Sequence, residues 1–227
     1  MNKSSLKRII SAAKDQSRVR GSTHRFYTYP AGFSPVFVEA AIQSLSKKND
    51  LILDPFMGGG TTVIESLIAK RRVVGIDLNP IATFVAKVKT AKLSKKNIDV
   101  IEKWAYKMSK KINFKLKNDK FSKKAFSIVN VKGLGNKEIL NFKRIIKGAS
   151  FYLKSLKKIQ NKKENDFLKL LLLRSMHSTL HDKRPIVDFH VFKDKIRSNS
   201  LDMLEGMKNF NEYLVNSRNR FKIYNNS

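Results

Sequence analysis

The sequence predicts an α/β protein, an incomplete parallel sheet of doubly wound type carrying a large helical insertion. Two short apolar runs, "LILD" and "RVVGID", each end on an acid and are separated by a glycine turn and a helical pattern. Strand, helix and strand in that order make a βαβ unit, whose strands run parallel. From about residue 93 to 216, apolar residues instead recur at helical spacing among lysine runs, with no comparable strand pattern apart from "FSIVNVKG".

The elements follow in chain order. In "MNKSSLKRIISAAK", Leu6, Ile9, Ile10 and Ala13 share a helical face with basic residues opposite, which reads as a basic surface helix within residues 1–20. Ser34 and Pro35 suit an N-cap and a first helical position, and Phe37, Ala40, Ala41 and Leu45 continue that helix. "LILD" reads as a strand buried on both faces. Val63, Ile64, Leu67 and Ile68 mark the next helix, "RVVGID" a second buried strand, and Asn79 and Pro80 the cap of a third helix through Phe84, Val85 and Val88. Residues 21–92 thus hold the βαβ part and 93–216 the helical insertion. Residues 217–227, ending "RFKIYNNS", return to a strand pattern.

Charge limits the partners. Lysine and arginine number 47 against 18 acids, a net +29, in a 227-residue chain. An excess that large points to DNA or another polyanion held on a basic surface, because phosphate neutralisation releases counterions; a lysine-rich genome is the bland alternative. The chain has no cysteine, which excludes disulfides and thiolate metal sites. No segment reaches the roughly 18 apolar residues that span a membrane, so the expectation is a soluble, cytoplasmic protein.

Three kinds of nucleotide loop compete for "DPFMGGGTT". A phosphate-binding Walker loop needs a lysine followed by Ser or Thr after its last glycine, where this chain has Thr61, Thr62 and Val63. A dinucleotide loop needs a third glycine where Val63 stands, and Asp54 at the strand end repels a pyrophosphate. The third candidate is a nucleoside with a cationic amino-acid tail: Asp54 meets the ammonium, the glycines admit the ligand to the backbone, and Asp77 accepts hydrogen bonds from ribose hydroxyls. S-adenosylmethionine has these features. The competing interpretation is a tight βα turn whose acids cap helices.

These residues resemble a family. "DPFMGGGTT" is similar to the D-P-F-x-G-S/G-G-T-T motif of DNA methyltransferases that modify adenine N6 or cytosine N4. "VVGIDLNPIATFVAKVK" resembles their ribose-binding motif, and "HRFYTYPAGFSPVFVEAAI" the upstream segment that closes over the methionine end, with Gly32 where many members carry lysine. The resemblance implies a partial Rossmann-like (class I) methyltransferase sheet with S-adenosylmethionine as cofactor. It places Asp54, Gly58, Gly60 and Thr61 on the methionine side, with Pro55, Phe56 and Thr62 completing the motif. Asp77 falls to the ribose, Leu78 to the adenine, Tyr29, Pro30 and Phe33 to the closing segment, and Asn226 to a further adenine contact.

The family's D/N/S-P-P-Y/F/W motif, which holds the exocyclic amine and stacks on the flipped base, has no counterpart. The five prolines stand at 30, 35, 55, 80 and 185, and no two are adjacent. "KRPIVDF" is the nearest approach and reads as a loop. The expectation is therefore no catalytic residue in this chain, and the N-terminal, methyl-donor portion of a methyltransferase, whether by truncation, a disrupted reading frame or division between two polypeptides, with a complementing C-terminal methyltransferase polypeptide as its partner. A catalytically silent subunit binding nucleic acid and a partner is the alternative. An RNA guanine-N2 methyltransferase fragment is a third reading, disfavoured by "YTYPAGFSP". His177 and His181, four apart with His190 nearby, lack the Glu of a zinc-protease helix, and Asp182, Asp188 and Asp194 form no recognisable acid pair; no metal site is expected.

Overall fold

In a computed structural model, residues 2–15, 22–29, 32–110, 136–181, 189–215 and 221–225 are described. They contain helices α1 (Lys3–Lys14) and α2 (Pro35–Leu45), strand β1 (Leu51–Asp54), helix α3 (Thr61–Ile68), strand β2 (Arg72–Asp77) and helix α4 (Pro80–Lys89). Then come α5 (Lys95–Lys110), α6 (Asn136–Leu156), α7 (Lys162–Leu180), α8 (Phe189–Val215) and strand β3 (Phe221–Asn225). A mixed α/β chain with a small parallel sheet and mostly helices is what the patterns foretold. The possible strand "FSIVNVKG" lies outside the described residues.

Two compact units divide the chain. One comprises Met1–Leu93 with Met203–Ser227, the other Ser94–Asp202. The first holds the sheet, ordered β1-β2-β3 with both pairs parallel, Ile52 aligned on Val73 and Val73 on Phe221. Strand order and sequence order coincide, and the β1–β2 connection brings α3 onto one face of the sheet. That face carries Val73, 1% exposed, and Gly75, where an added Cβ would come within 2.6 Å of Met57 Sδ and 2.9 Å of a Val63 methyl. Residues of the alternate register face away, and there Leu51 and Leu53 are 56% and 61% exposed. The expectation that "LILD" is buried on both faces is thus corrected: its composition suits double burial, but nothing among the described residues covers its second face.

Local signals explain some helix starts. Asn79 caps α4, its side chain accepting from the Ile81 N–H at 2.9 Å, with Pro80 in the first turn. Ser34 does occupy the N-cap position of α2, yet its side chain makes no capping hydrogen bond. On α1 the buried residue is Ala12, whereas Leu6 and Ile10 are exposed, so the contact with α2 uses a narrower stripe than the apolar spacing suggested. Gly206 of α8 lets that helix approach the upstream segment, since an added Cβ would meet the Ser22 carbonyl and the Phe26 ring.

The second unit is helical. Ile98, Ile101, Trp104, Ala105 and Met108 form the buried stripe of α5. Tyr152 of α6 sits among Trp104, Phe189 and Phe192 with ring centroids 5.6–5.9 Å apart, and burial raises its phenol above the ordinary tyrosine range. Among the described residues, no helix is long and apolar enough to cross a membrane.

Candidate functional site at the glycine turn

The turn between β1 and α3 follows from its glycines. Gly58 and Gly60 have φ of +52° and +81°, the left-handed region that costs other residues about 1–2 kcal/mol. Gly60 N–H donates to the Met57 carbonyl at 2.9 Å, and the Gly60 carbonyl accepts from Ile64, starting α3. Packing also requires the absence of side chains. A Cβ on Gly58 would lie 3.3 Å from the Tyr29 ring, one on Gly59 2.9 Å from Tyr29 Cβ, and one on Gly60 2.9 Å from Ala86 Cβ.

Asp77, at the carboxyl end of β2, supports the turn from the next strand. Its Oδ2 accepts from Gly58 N–H and its Oδ1 from Asn79 N–H, both at 2.8 Å. Asn79 Nδ2 in turn donates to the Tyr29 hydroxyl at 2.9 Å. The structure therefore joins Tyr29, Gly58 and Asp77, which are far apart in sequence. Asp54 ends β1, and its Oδ1 accepts the Phe56 N–H at 3.2 Å. The apolar side chains of Phe56, Leu78 and Phe33 are 86%, 73% and 64% exposed, and Phe33 contacts Phe37. Pro55 is exposed, and Thr61 and Thr62 are half-buried at the start of α3. Pro30 and Asn226 lie outside the described residues.

Three contributions were not anticipated. Asn79 was expected as a helix cap and also holds Tyr29. Lys89, 3% exposed, donates from Nζ to the carbonyls of Tyr27 and Gly59, each at 3.1 Å. His24 Nε2 and Glu65 Oε1 lie 2.6 Å apart, both side chains under 10% exposed, and fasten the upstream segment to α3. A carboxyl on a mostly apolar helix was the available signal for Glu65, since such a group is rarely buried without a partner. His177 and His181 have ring centroids 4.4 Å apart at the end of α7, and among the described residues no three His, Cys, Asp or Glu side chains could hold a metal ion.

The comparisons agree with this geometry. Residues 6–88 match the family model for DNA methylase of the N6/N4 type. The type II methyltransferase M.MjaII of Methanocaldococcus jannaschii is 30% identical over 130 residues, which is 51% of this chain and 24% of that protein. M.MvaI of Kocuria varians is 37% identical over 71 residues, covering 30% of this chain and 16% of its own length. M.BsoBI of Geobacillus stearothermophilus is 37% identical over 68 residues, covering 30% and 13%. The match thus spans less than a quarter of the length of each relative. No solved structure matches the chain. With its glycine turn, the two strand-end acids and the segment packed against them, the stretch from residue 6 to 88 is a DNA N6-adenine/N4-cytosine methyltransferase region.

Proposed function

We propose that this chain binds S-adenosylmethionine at the carboxyl ends of β1 and β2, and supplies the methyl-donor part of a DNA methyltransferase acting on an exocyclic amine of adenine or cytosine. The observation that carries the reading is Asp77, a strand-end carboxylate that grips the glycine turn through the Gly58 N–H and keeps lone pairs for ribose hydroxyls. Asp54 suits the ammonium of the cofactor's amino-acid tail. Gly58, Gly60, Thr61 and Thr62 leave the methionine side open, with Pro55 in the turn. Phe56 and Leu78 present apolar surface for the adenine, while Tyr29, Pro30 and Phe33 close the methionine end; Asn226 is the further adenine contact.

When bound, the cofactor supplies an electrophilic methyl group on a sulfonium. The residues of this chain orient it: the glycine backbone admits it closely, the acids fix its two polar ends, and the Tyr29 segment excludes water. No catalytic residue is assigned here, because a D/N/S-P-P-Y/F/W segment is not among these 227 residues. A complementing methyltransferase polypeptide, or a further part of this one, would provide it. The bare sheet face at Leu51 and Leu53 supports that partnership, since parallel sheets are normally covered on both sides. Completed in this way, the sheet is of class I Rossmann-like type. In this reading α1 is its N-terminal basic helix, α5 to α8 belong to a basic insertion for DNA, and β3 is a strand of the completed sheet.

Titration calorimetry with S-adenosylmethionine, S-adenosylhomocysteine and ATP tests the reading. Stoichiometric binding of the first two and none of ATP is expected. Folded protein that binds neither S-adenosyl compound would leave the second reading, a silent nucleic-acid-binding subunit, for which the +29 net charge speaks.

A further inference from the structure

We infer that Lys89 is a positioning residue of the cofactor site: its buried ammonium clasps the upstream segment onto the glycine turn, and so sets the wall and floor of the methionine end together. The inference rests on the S-adenosylmethionine reading for its consequence, but its geometry stands on its own.

Lys89 is the last residue of α4, one of many lysines in the chain, and almost entirely removed from water. An ammonium carries three donors and is costly to bury unless they are used. Lys89 directs Nζ at two carbonyls 3.1 Å away, that of Tyr27 in the upstream segment and that of Gly59 in the turn. These two carbonyls belong to segments about 30 residues apart in sequence, and the cation bridges them.

The Gly59 contact matters because of what the same peptide does on its other side. The Gly59–Gly60 peptide has its carbonyl held by Lys89 and its N–H donated to the Met57 carbonyl at 2.9 Å. Both polar groups of that plane are therefore fixed immediately before the left-handed Gly60 that opens α3. One turn earlier on α4, Ala86 packs against Gly60, so a single helix face backs the turn from behind. The Tyr29 ring lies against Gly58, its Cβ against Gly59 on the side that also meets Lys89 Nζ, and its hydroxyl takes the Asn79 amide. Holding the Tyr27 carbonyl two residues before Tyr29 sets where that ring can lie. Loss of the ammonium frees the turn and the ring at once, which separates Lys89 from a residue that merely fills the core.

The test compares the unsubstituted chain with Lys89→Met, which keeps much of the apolar length but no donor, and Lys89→Arg, which keeps a cation with several donors. Hydrogen–deuterium exchange is measured without ligand, then S-adenosylhomocysteine affinity by calorimetry. Expected for Lys89→Met is exchange raised at least about tenfold in both 24–29 and 57–60, with β2 within about twofold, and affinity lowered about tenfold. Lys89→Arg restores both readouts at least in part. Exchange unchanged in either segment, or raised equally through β1, β2 and α4, overturns the clasp. Should Lys89→Met not fold, the ammonium proton–nitrogen signal of Lys89 in the unsubstituted chain decides. A slowly exchanging signal that shifts with S-adenosylhomocysteine supports the role, and one exchanging as fast as a surface lysine's overturns it. If the unsubstituted chain binds no S-adenosyl compound, the cofactor reading fails, while the ligand-free exchange still judges the clasp.

Discussion

Replacing Asp77 by asparagine separates two duties of one carboxylate. Its two oxygens accept the Gly58 and Asn79 N–H groups at 2.8 Å, and an asparagine offers one acceptor oxygen and one NH2. Whichever way the amide turns, one of those N–H groups faces a donor, and the other loses the assistance of a negative charge. Hydrogen bonds to charged groups contribute about 1.5–3 kcal/mol; Asp77 is only half-buried, so the lower figure, about 1.5 kcal/mol, applies. For a chain of this size that lowers the melting temperature by about 3–6 °C. In the proposed complex the ribose hydroxyls lose their charged acceptor as well, and a similar energy weakens S-adenosylhomocysteine roughly tenfold. Differential scanning fluorimetry and calorimetry read the two effects separately. A melting temperature within about 1 °C of the parent would refute the strut, and an unchanged affinity beside a lowered melting temperature would refute the ribose role.

Three other changes test neighbouring arguments. Gly60→Ala combines a left-handed backbone of φ +81° with a Cβ placed 2.9 Å from Ala86 Cβ; strain and overpacking together should cost about 2–5 kcal/mol in urea denaturation. Leu53→Lys lies on the bare face at 61% exposure, so stability should stay within about 0.5 kcal/mol while any self-association seen by sedimentation weakens. The His177 titration midpoint is lowered first by desolvation and then by repulsion from His181. The unfolded chain therefore binds more protons, and this contribution to stability falls as pH drops through the unfolded value of about 6.5. His181→Gln should raise the midpoint, observed by NMR, and reduce that acid sensitivity; an unmoved midpoint would remove His181 as a cause.

Much of the sheet-bearing unit was legible because its signals are local. The apolar runs at 51–54 and 72–77 became strands, and Asn79 and Pro80 open α4 as their chemistry requires. The helical spacing around Ile98, Ile101 and Met108 became the buried stripe of α5. Ser34 marked the start of α2 without making the bond that usually accompanies it, since a residue type signals a boundary and its rotamer depends on packing. The two faces of β1 were beyond reach, because an apolar strand has the same composition whether one side is covered or both. Lys89 was equally hidden among 47 basic residues, since its partners are carbonyls, which carry no sequence signature.

The sequence by itself determined the βαβ order, a glycine turn after the first strand and the two acids at the strand ends. Each follows from bonded geometry or short-range hydrogen bonding that a few adjacent residues complete. Only the tertiary structure decided that one face of β1 stays exposed at Leu51 and Leu53, that Asp77 holds the Gly58 amide, and that Tyr29, Asn79 and Lys89 close around the turn. Those outcomes depend on distances between groups 19 to 62 residues apart, which crossover handedness and close packing set once the chain is folded.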